Sequence, residues 1–474
     1  MLTKYKRNSG FCAKLKVSIF EQNLVINRKL EHLKSATTFI QVVGNKQKHE
    51  KILMNRIILI GNGFDLAHGM PTSYNDFLKD YWKSTIEEIK NSAVNKVFEN
   101  EEIIINRSPS KFLSGTSYLE LKEKIKDFDE IIIFKNKFFE KISETSRLQN
   151  WVDIENEYYL TLKFTYSERN SKYNNLDIDT LNNDFNRVKI LLKNYLLKTE
   201  EEFNKTFSNR KLNRYIGSKI FSQFNLNDFT DNSISKKTQE EFNKIELDIK
   251  SLNDDMISLD DIDVKKRPLI SALNLSKPID SLKEKLKSGS ARNYFELIPE
   301  HTLFLNFNYT ETELHYEDPN RFENMNEVSS KITKTEFIHI HGNLKYEKYP
   351  IIFGFGDELD DDYKEIEKLN NNKYLENIKS IQYLETDNYK KLLSFVNSQD
   401  YQIFIFGHSC GVSDRTLLNT IFEHENCVSI KPFYHKRKDS DNYSDIIRNI
   451  SRNFNDKRIM RDKVVNKMFC EPLS

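Results

Sequence analysis

The sequence predicts an α/β protein: a doubly wound, Rossmann-like parallel sheet interrupted by a large, mostly helical insertion. Three observations lead there. Residues 56–60 form a short, mostly apolar run rich in β-branched side chains that stops at Gly61-Asn62-Gly63, as a buried parallel strand does on meeting a tight turn. From about Asp80 to Arg292 the chain is rich in Lys, Glu, Asn and Asp, with Phe, Tyr, Leu and Ile returning every three or four residues. Beyond Arg292 short β-type runs resume at 303–306, 337–340, 351–353, 403–406 and 428–430, with helical spans such as 375–397 between some of them.

Residues 54–80 therefore supply the first strand, a glycine turn and a helix. Residues 81–292 are the insertion, 293–440 the remainder of the α/β domain, and 441–474 a helical tail. Residues 1–53, with many Lys and Arg and little acid, read as a basic N-terminal extension, either poorly ordered or a product of start-site choice with Met54 the working start. A basic arm for nucleic acid is the functional alternative.

Gly61 and Gly63 lack the Cβ atoms that would hold a phosphate away from backbone N–H groups, and a helix starting near Phe64 or Asp65 aims its positive end at the same anion. The dinucleotide fingerprint wants a third glycine where Leu66 stands, so the turn alone is equally a plain strand-to-helix bend. Met70-Pro71-Thr72-Ser73-Tyr74 then ends one helix and starts another, capped by Thr72 or Ser73, with Tyr74, Phe77, Leu78 and Tyr81 as its core stripe. Inside the insertion, 127–143, 181–207 and 236–252 read as amphipathic helices. Trp151-Val152-Asp153-Ile154-Glu155-Asn156-Glu157-Tyr158 gathers acids and a Trp that either line a pocket or, as Asp153 and Glu155, are charges favoured at a helix N-terminus.

The bulk composition narrows the function classes. At 474 residues, 38% hydrophobic and 30% charged, the chain is ordinary for a globular protein and long enough for more than one domain. A formal charge of +1 gives no overall case for nucleic acid or an acidic membrane surface. Cys12, Cys410, Cys427 and Cys470 are scattered without a C-x-x-C pair, which indicates neither a zinc ribbon nor a disulfide framework. No apolar run approaches the roughly 20 residues of a membrane helix, and the N-terminus lacks a secretory-type apolar segment. A soluble, cytoplasmic protein is expected.

Ligands of doubly wound sheets bind at the carboxyl ends of the strands. Four polar clusters fall there: Phe307-Asn308-Tyr309-Thr310, His339-Ile340-His341-Gly342-Asn343, Phe353-Gly354-Phe355-Gly356-Asp357-Glu358, and Gly407-His408-Ser409-Cys410-Gly411-Val412-Ser413-Asp414. Together with the stretch from Gly61 to Tyr74 and the Asn150-Trp151-Val152-Asp153-Ile154-Glu155 segment, they make the sequence resemble the bacteriophage abortive infection AbiH family, over roughly residues 54–435. More distantly, the order of the clusters resembles sirtuin-like NAD-binding domains, with Gly69-Met70-Pro71 after the glycine turn, then Asn308, His341-Gly342, Pro350 through Gly356, and Gly407-His408-Ser409.

The resemblance implies an anti-phage abortive infection protein that binds NAD, as ligand or substrate, and as a NAD glycohydrolase-like enzyme breaks it at the nicotinamide–ribose bond when triggered. It implies Asn308 and His341 as the catalytic pair. It places Gly61, Asn62, Gly63, Phe64, Asp65, Thr72, Tyr74, Tyr309, Gly342, Gly356, Gly407, His408, Ser409 and Asp414 at the nucleotide. The implied partners are a small nucleotide and a phage or host trigger protein, with no membrane, no strong nucleic-acid signal, no metal, and a homo-oligomer left open. The chain lacks the four-cysteine zinc module of deacetylase sirtuins, and it carries Asn308-Tyr309-Thr310 where Asn-x-Asp is usual, which removes one carboxylate.

The residue types suit that chemistry. Breaking the nicotinamide–ribose bond puts positive charge on the sugar, so the site needs amides that bind hydroxyls and a base near neutral pH more than a strong nucleophile. Asn308 suits the first role and His341 the second. Ser409 and the amides around Gly407 suit phosphate or ribose oxygens, and Asp65 or Asn62 the nicotinamide end.

Three rival readings use the same residues. Gly407-His408-Ser409-Cys410-Gly411 matches the G-x-S-x-G elbow of a serine hydrolase, with Asp414 and His424 or His435 to complete it. His339 and His341, two apart on one strand, are an H-x-H metal pair that Asp357 and Glu358 could complete. A non-catalytic, nucleotide-sensing defence module is the third.

Overall fold

A computed structural model of the chain describes residues 54–91, 97–106, 118–124, 131–144, 151–166, 177–253, 267–269, 273, 277–322 and 333–474. The extension at 1–53 lies outside the described residues, as do Asn150 and residues 127–130 of the first span read as helix; of Trp151, Val152 and Asp153 only the backbone is described. The chain divides into two compact units, one of Met54–Phe221 with Glu300–Ser474 and a smaller one that takes in Ser222–Pro299.

The larger unit opens on β1 (Met54–Ile60), followed by α1 (Asn62–Ala67) and α2 (Tyr74–Asn91). A small antiparallel sheet comes next, with β2 (Phe98–Glu99), β3 (Ile103–Ile105) and β4 (Ile132–Phe134) in that order, and α3 (Tyr118–Lys124) between the last two. Helices α4 (Lys137–Glu144), α5 (Trp151–Tyr166), α6 (Ile178–Thr206) and α7 (Arg210–Ile220) follow. The insertion is therefore not helical throughout. Ile103-Ile104-Ile105 and Ile132-Ile133-Phe134 are runs rich in β-branched side chains, stiff at χ1 and too short to show a helical period, and they pair with each other as β3 and β4. Of the described residues in the span 127–143, Ile132–Phe134 is the strand β4 and helix α4 runs from Lys137.

The smaller unit holds α8 (Asp231–Asn253) and α9 (Pro278–Lys287), which pack on each other. Pro278 stands in the first turn of α9, where its missing N–H costs nothing. On α8, Lys237 and Lys244 straddle Glu240 and Glu241 at three- and four-residue spacing, so its charges neutralise along one helix face.

The larger unit resumes with β5 (His301–Asn306) and β6 (Lys334–His339), then α10 (Asp361–Lys368), α11 (Lys379–Gln382) and α12 (Asn388–Ser398). It ends with β7 (Asp400–Phe406), α13 (Arg415–Glu423), β8 (Cys427–Phe433), α14 (Tyr443–Arg452) and α15 (Lys457–Lys463). Residues 351–353, expected as a strand, are buried but join no ladder. Ile352 N donates to His341 O at 2.9 Å and Phe355 N to Asn377 O at 3.1 Å, and a Cβ on Gly354 would fall 2.0 Å from Asn377 O, so the chain crosses other loops here instead of pairing along its length. The helix expected at 375–397 breaks into short pieces, with α11 and α12 separated by a turn of 3₁₀ helix at Tyr383–Glu385.

Five strands make one parallel sheet in the order β6-β5-β1-β7-β8. Numbered along the chain, these five lie 3-2-1-4-5, the order of a Rossmann-like sheet, and the direction of winding reverses between β1 and β7. β1 is the central strand and all seven of its residues are buried. Its side chains alternate between two cores. Ile57 and Leu59 join Leu305, Ile403, Leu418 and Ile450 on one face, while Ile58 and Ile60 join Phe304, Phe406, Ile216 and Ile220 on the other. Helices α12, α13 and α14 thus cover the first face and α7 the second, as double winding requires. Arg56, buried within β1, gives Nη1 to Ile220 O (2.8 Å) and Nη2 to Gln402 Oε1 (3.2 Å), with its guanidinium over the Phe404 ring. Among the described residues no helix is long and apolar enough to cross a membrane.

Candidate functional site

At the carboxyl rim, the turns after β1 and β7 lock together where the winding reverses. Gly61 N donates to Phe406 O (3.2 Å) and Gly63 N to Gly407 O (2.9 Å). A Cβ on Gly61 would lie 2.5 Å from His408 Cα, and one on Gly63 2.8 Å from Gly407 O. Gly407 itself has φ +73°, and a Cβ there would lie 2.1 Å from Phe64 N. The space these glycines leave is filled by the opposite turn, so their small size serves the contact between β1 and β7. Helix α1, which follows, has only six residues.

Beside this junction lies a buried charged array drawn from distant segments. Lys379 Nζ, at the start of α11, is 2.7 Å from Glu155 Oε1 of α5 and 2.8 Å from Asp414 Oδ1, in the turn before α13. Asp414 in turn faces two imidazoles, His341 Nε2 at 3.2 Å and His408 Nε2 at 3.6 Å. All five residues are at most 5% exposed. Burial works against the charge on Lys379, yet Asp414 and Glu155 overcome it and hold the ammonium above its usual range. Burial likewise opposes the Asp414 charge, and Lys379 and then His341 keep its carboxyl well below the usual range. Burial lifts Glu155 to about 7, with Lys379 pulling down and Asp414 pushing up.

His341 is neutral at physiological pH, because burial and then the Lys379 ammonium bring its pKa down to about 4. Its one N–H is shared between two acceptors, since Nδ1 faces the carbonyl oxygen of Phe307 at 3.2 Å while Nε2 lies 3.2 Å from Asp414 Oδ1 and 3.1 Å from the Tyr383 hydroxyl. His408 Nδ1 accepts from Cys410 N (3.0 Å), which leaves its Nε2–H toward Asp414.

A second cluster lies at the tips of β1, β5 and β6. Asp65 is 1% exposed; its Oδ2 accepts from Thr310 Oγ1 at 2.7 Å, and its Oδ1 has no partner. Asn308 Nδ2 is also buried without a partner. Asn306 Nδ2 donates to Glu313 Oε2 (2.7 Å), and Glu313 Oε1 meets His339 Nε2 at 2.7 Å. Burial disfavours the charged His339 ring, but Glu313 raises it above its ordinary value. Burial pushes Asp65 up to about 7, and Glu313 adds to this, against the downward pull of Thr310, Thr312 and Asn308.

Asp65 thereby makes stability fall with rising pH. Its folded pKa lies above the unfolded value of 3.8, so the folded state binds the extra proton between about pH 4 and 7, and burying the anion costs up to about 4 kcal/mol above that window at 1.36 kcal/mol per unit. Asp65→Asn, which cannot ionise, is expected to gain on the wild type in urea unfolding as pH rises from about 5 to 8. Parallel pH dependences for the two proteins would refute this.

The residues singled out from sequence fall into these two clusters and their surroundings. His341, His408 and Asp414 come together in the charged array, and Tyr309 lies at its edge, its ring centroid 6.5 Å from that of His341 and its hydroxyl on Ile352 O. Asn62, Asp65 and Thr72 meet through the Thr72 hydroxyl, which is 2.6 Å from Asn62 Oδ1 and 3.4 Å from Asp65 Oδ2. Asn308 and His341 flank the peptide that joins residues 307 and 308, but their side chains belong to different clusters. Two aromatic side chains expected at the nucleotide lie in the core. Phe64 packs against His68, Tyr316 and Phe406, and Tyr74, 1% exposed, gives its hydroxyl to Ile142 O. Gly342 (φ +84°) has Pro350 O where a Cβ would go, and Gly356 has Ser413 O, so both let backbones pass closely.

The geometry gives the rival readings little. Among the described residues no imidazole lies within hydrogen-bond distance of Ser409 Oγ. His424 pairs with Asn397, His435 is exposed, and Asp414 is taken by Lys379 and two other histidines. β6 ends at His339, so His339 and His341 turn to different carboxylates, and no group of three or more His, Cys, Asp or Glu among the described residues is placed to hold a metal ion.

Sequence reasoning missed Lys379, Tyr383 and Glu313. Lys379 sits in a stretch that reads as an ordinary amphipathic helix, where a lysine suggests a solvated face. The one signal near it was Glu155, whose acid-and-Trp segment stood out from its surroundings.

A family model for bacteriophage abortive infection AbiH matches residues 57–435. The chain belongs to that family. No curated protein and no solved structure matches it. The AbiH match runs from residue 57, within β1, past the end of β8, takes in both clusters at the rim, and leaves α14 and α15 beyond its end. Membership of the AbiH family associates the chain with abortive infection of phage-infected cells.

Proposed function

We propose that this AbiH-family chain binds NAD at the carboxyl rim of its sheet and, when triggered during infection, hydrolyses the nicotinamide–ribose bond. The observation that carries the reading is topological. The sheet reverses winding between β1 and β7, and polar groups from the tips of β1, β5, β6 and β7 gather beside that reversal, where Rossmann-like sheets take their nucleotides. The order of these clusters along the chain, which resembles sirtuin-like domains, favours NAD among nucleotides. Asn308 offers an amide for hydroxyl groups, and His341 orders the peptide beside it. Uncontrolled NAD hydrolysis would kill the host, so the reading includes latency in the cytoplasm, with the insertion as the sensor of a phage or host protein.

A non-catalytic, nucleotide-sensing module is the second reading, favoured by the burial of both clusters. Incubating the protein with NAD, with and without lysate from phage-infected cells, and separating the products tests both. The expected result is free nicotinamide and ADP-ribose from the wild type, with release falling by a factor of about 10² or more in Asn308→Ala and His341→Ala. Tight NAD binding without products would favour the sensing module. Neither binding nor products would end both.

A further inference from the structure

The rim contains a proton acceptor that is not the histidine. His341 has no free nitrogen: Nδ1 is turned to the Phe307 carbonyl oxygen and Nε2 to the Tyr383 hydroxyl and Asp414. The opposite holds at Asp65, whose Oδ1 is buried and unpartnered although Oδ2 is held by Thr310. The Asn308 amide nitrogen and the Thr312 hydroxyl, also without a partner, belong to side chains that act on the same carboxyl. A buried acceptor and a buried donor left open side by side are complementary to one small hydroxyl-bearing molecule, which would accept from the amide and donate to the carboxylate.

We propose that Asp65 is the general base of this site, and that a water molecule held between Asp65 Oδ1 and Asn308 Nδ2 is the nucleophile. The inference rests on the NAD reading. The water oxygen bonds to C1′ of the ribose as the C1′–N1 bond breaks, the electron pair of that bond leaves with neutral nicotinamide, and the water proton passes to Asp65 Oδ1. The carboxylic acid so formed later releases its proton to solvent. Burial, with Glu313 and its partner His339 as the charged groups opposite, keeps the carboxyl near neutrality, where a base is most useful. Asn62, Gly63, Asn308 and Tyr309 are half-buried. His341 becomes a positioning residue that acts through the Phe307 peptide.

The test is nicotinamide release from NAD by the full-length protein across pH 5 to 9, in the presence of lysate from phage-infected cells. Wild type, Asp65→Asn, Thr310→Val and His341→Ala are compared. Asp65→Asn is isosteric, and its fold is checked by thermal melting. The proposal expects it to lose about 10²–10⁴ in rate, together with the acid limb of the wild-type profile near pH 7. Thr310→Val, which removes the donor that favours the carboxylate, should move that limb to higher pH, a change that a purely structural role would not produce. His341→Ala should slow release and keep the limb. Release by Asp65→Asn at the wild-type rate and with the wild-type profile overturns this proposal and leaves the NAD reading standing. A wild type that releases no nicotinamide overturns both.

Discussion

Lys379→Met is expected to destabilise the protein by about 3–5 kcal/mol, seen as a lower urea midpoint at pH 7. Lys379 is fully buried between Glu155 and Asp414, and its ammonium is what makes two buried carboxylates tolerable. Deleting one partner of a buried charged group leaves the others in low dielectric without compensation, which costs far more than the net worth of an intact pair. The double variant Lys379→Met with Glu155→Gln should recover part of the loss, because only one carboxylate is then left unbalanced. A non-additive cycle of that sign identifies the charges, and not the lost lysine stem, as the source. The same substitution removes a cation that depresses His341, so the imidazole pKa should rise from about 4, which NMR titration of the ring can follow.

Gly407→Ala comes second in expected size, at about 3 kcal/mol or more, a figure that joins the two backbone and packing costs below. The left-handed conformation at φ +73° alone costs an L-residue about 1–2 kcal/mol. The new methyl would also lie 2.1 Å from Phe64 N and 2.3 Å from Gly63 C, backbone atoms that cannot swing aside. Gly69→Ala separates the two costs, since Gly69 has φ +85° and nothing within 4 Å of the added carbon. Its loss should be confined to the conformational part. Equal losses at the two positions, read from thermal or urea unfolding, would show that the locked turns are not under the strain the geometry describes.

Much of the sheet was legible because four of its five strands are short, densely apolar runs ending in turn residues. β6 was only half visible, since it begins Lys334-Thr335-Glu336 at the edge of the sheet, where one side of the strand pairs with no other strand among the described residues. Residues 351–353 misled for the converse reason: a buried apolar run looks the same whether or not it pairs, and here the neighbouring loops fill the positions a strand would need. The small antiparallel sheet was lost because three isoleucines carry no period. At the rim, His341, His408 and Asp414 could be read from local motifs, as each stands in or near a glycine-marked turn. Lys379 could not, because its importance comes from meeting Glu155 and Asp414, far from it along the chain, and nothing in its own neighbours encodes that meeting. The open oxygen of Asp65 was equally hidden, since it depends on where Thr310 and Asn308 stop.

The order of strands has a consequence for how this protein is made. β1 leaves the ribosome first, yet both of its hydrogen-bonding neighbours, β5 and β7, are encoded beyond residue 300. At about 5–20 residues per second, the most apolar strand of the sheet waits on the order of 10–50 s for its first mate. Throughout that interval its bare edges are open to any other nascent chain, so a holding chaperone, or early collapse of the intervening helices around it, becomes a condition of successful synthesis.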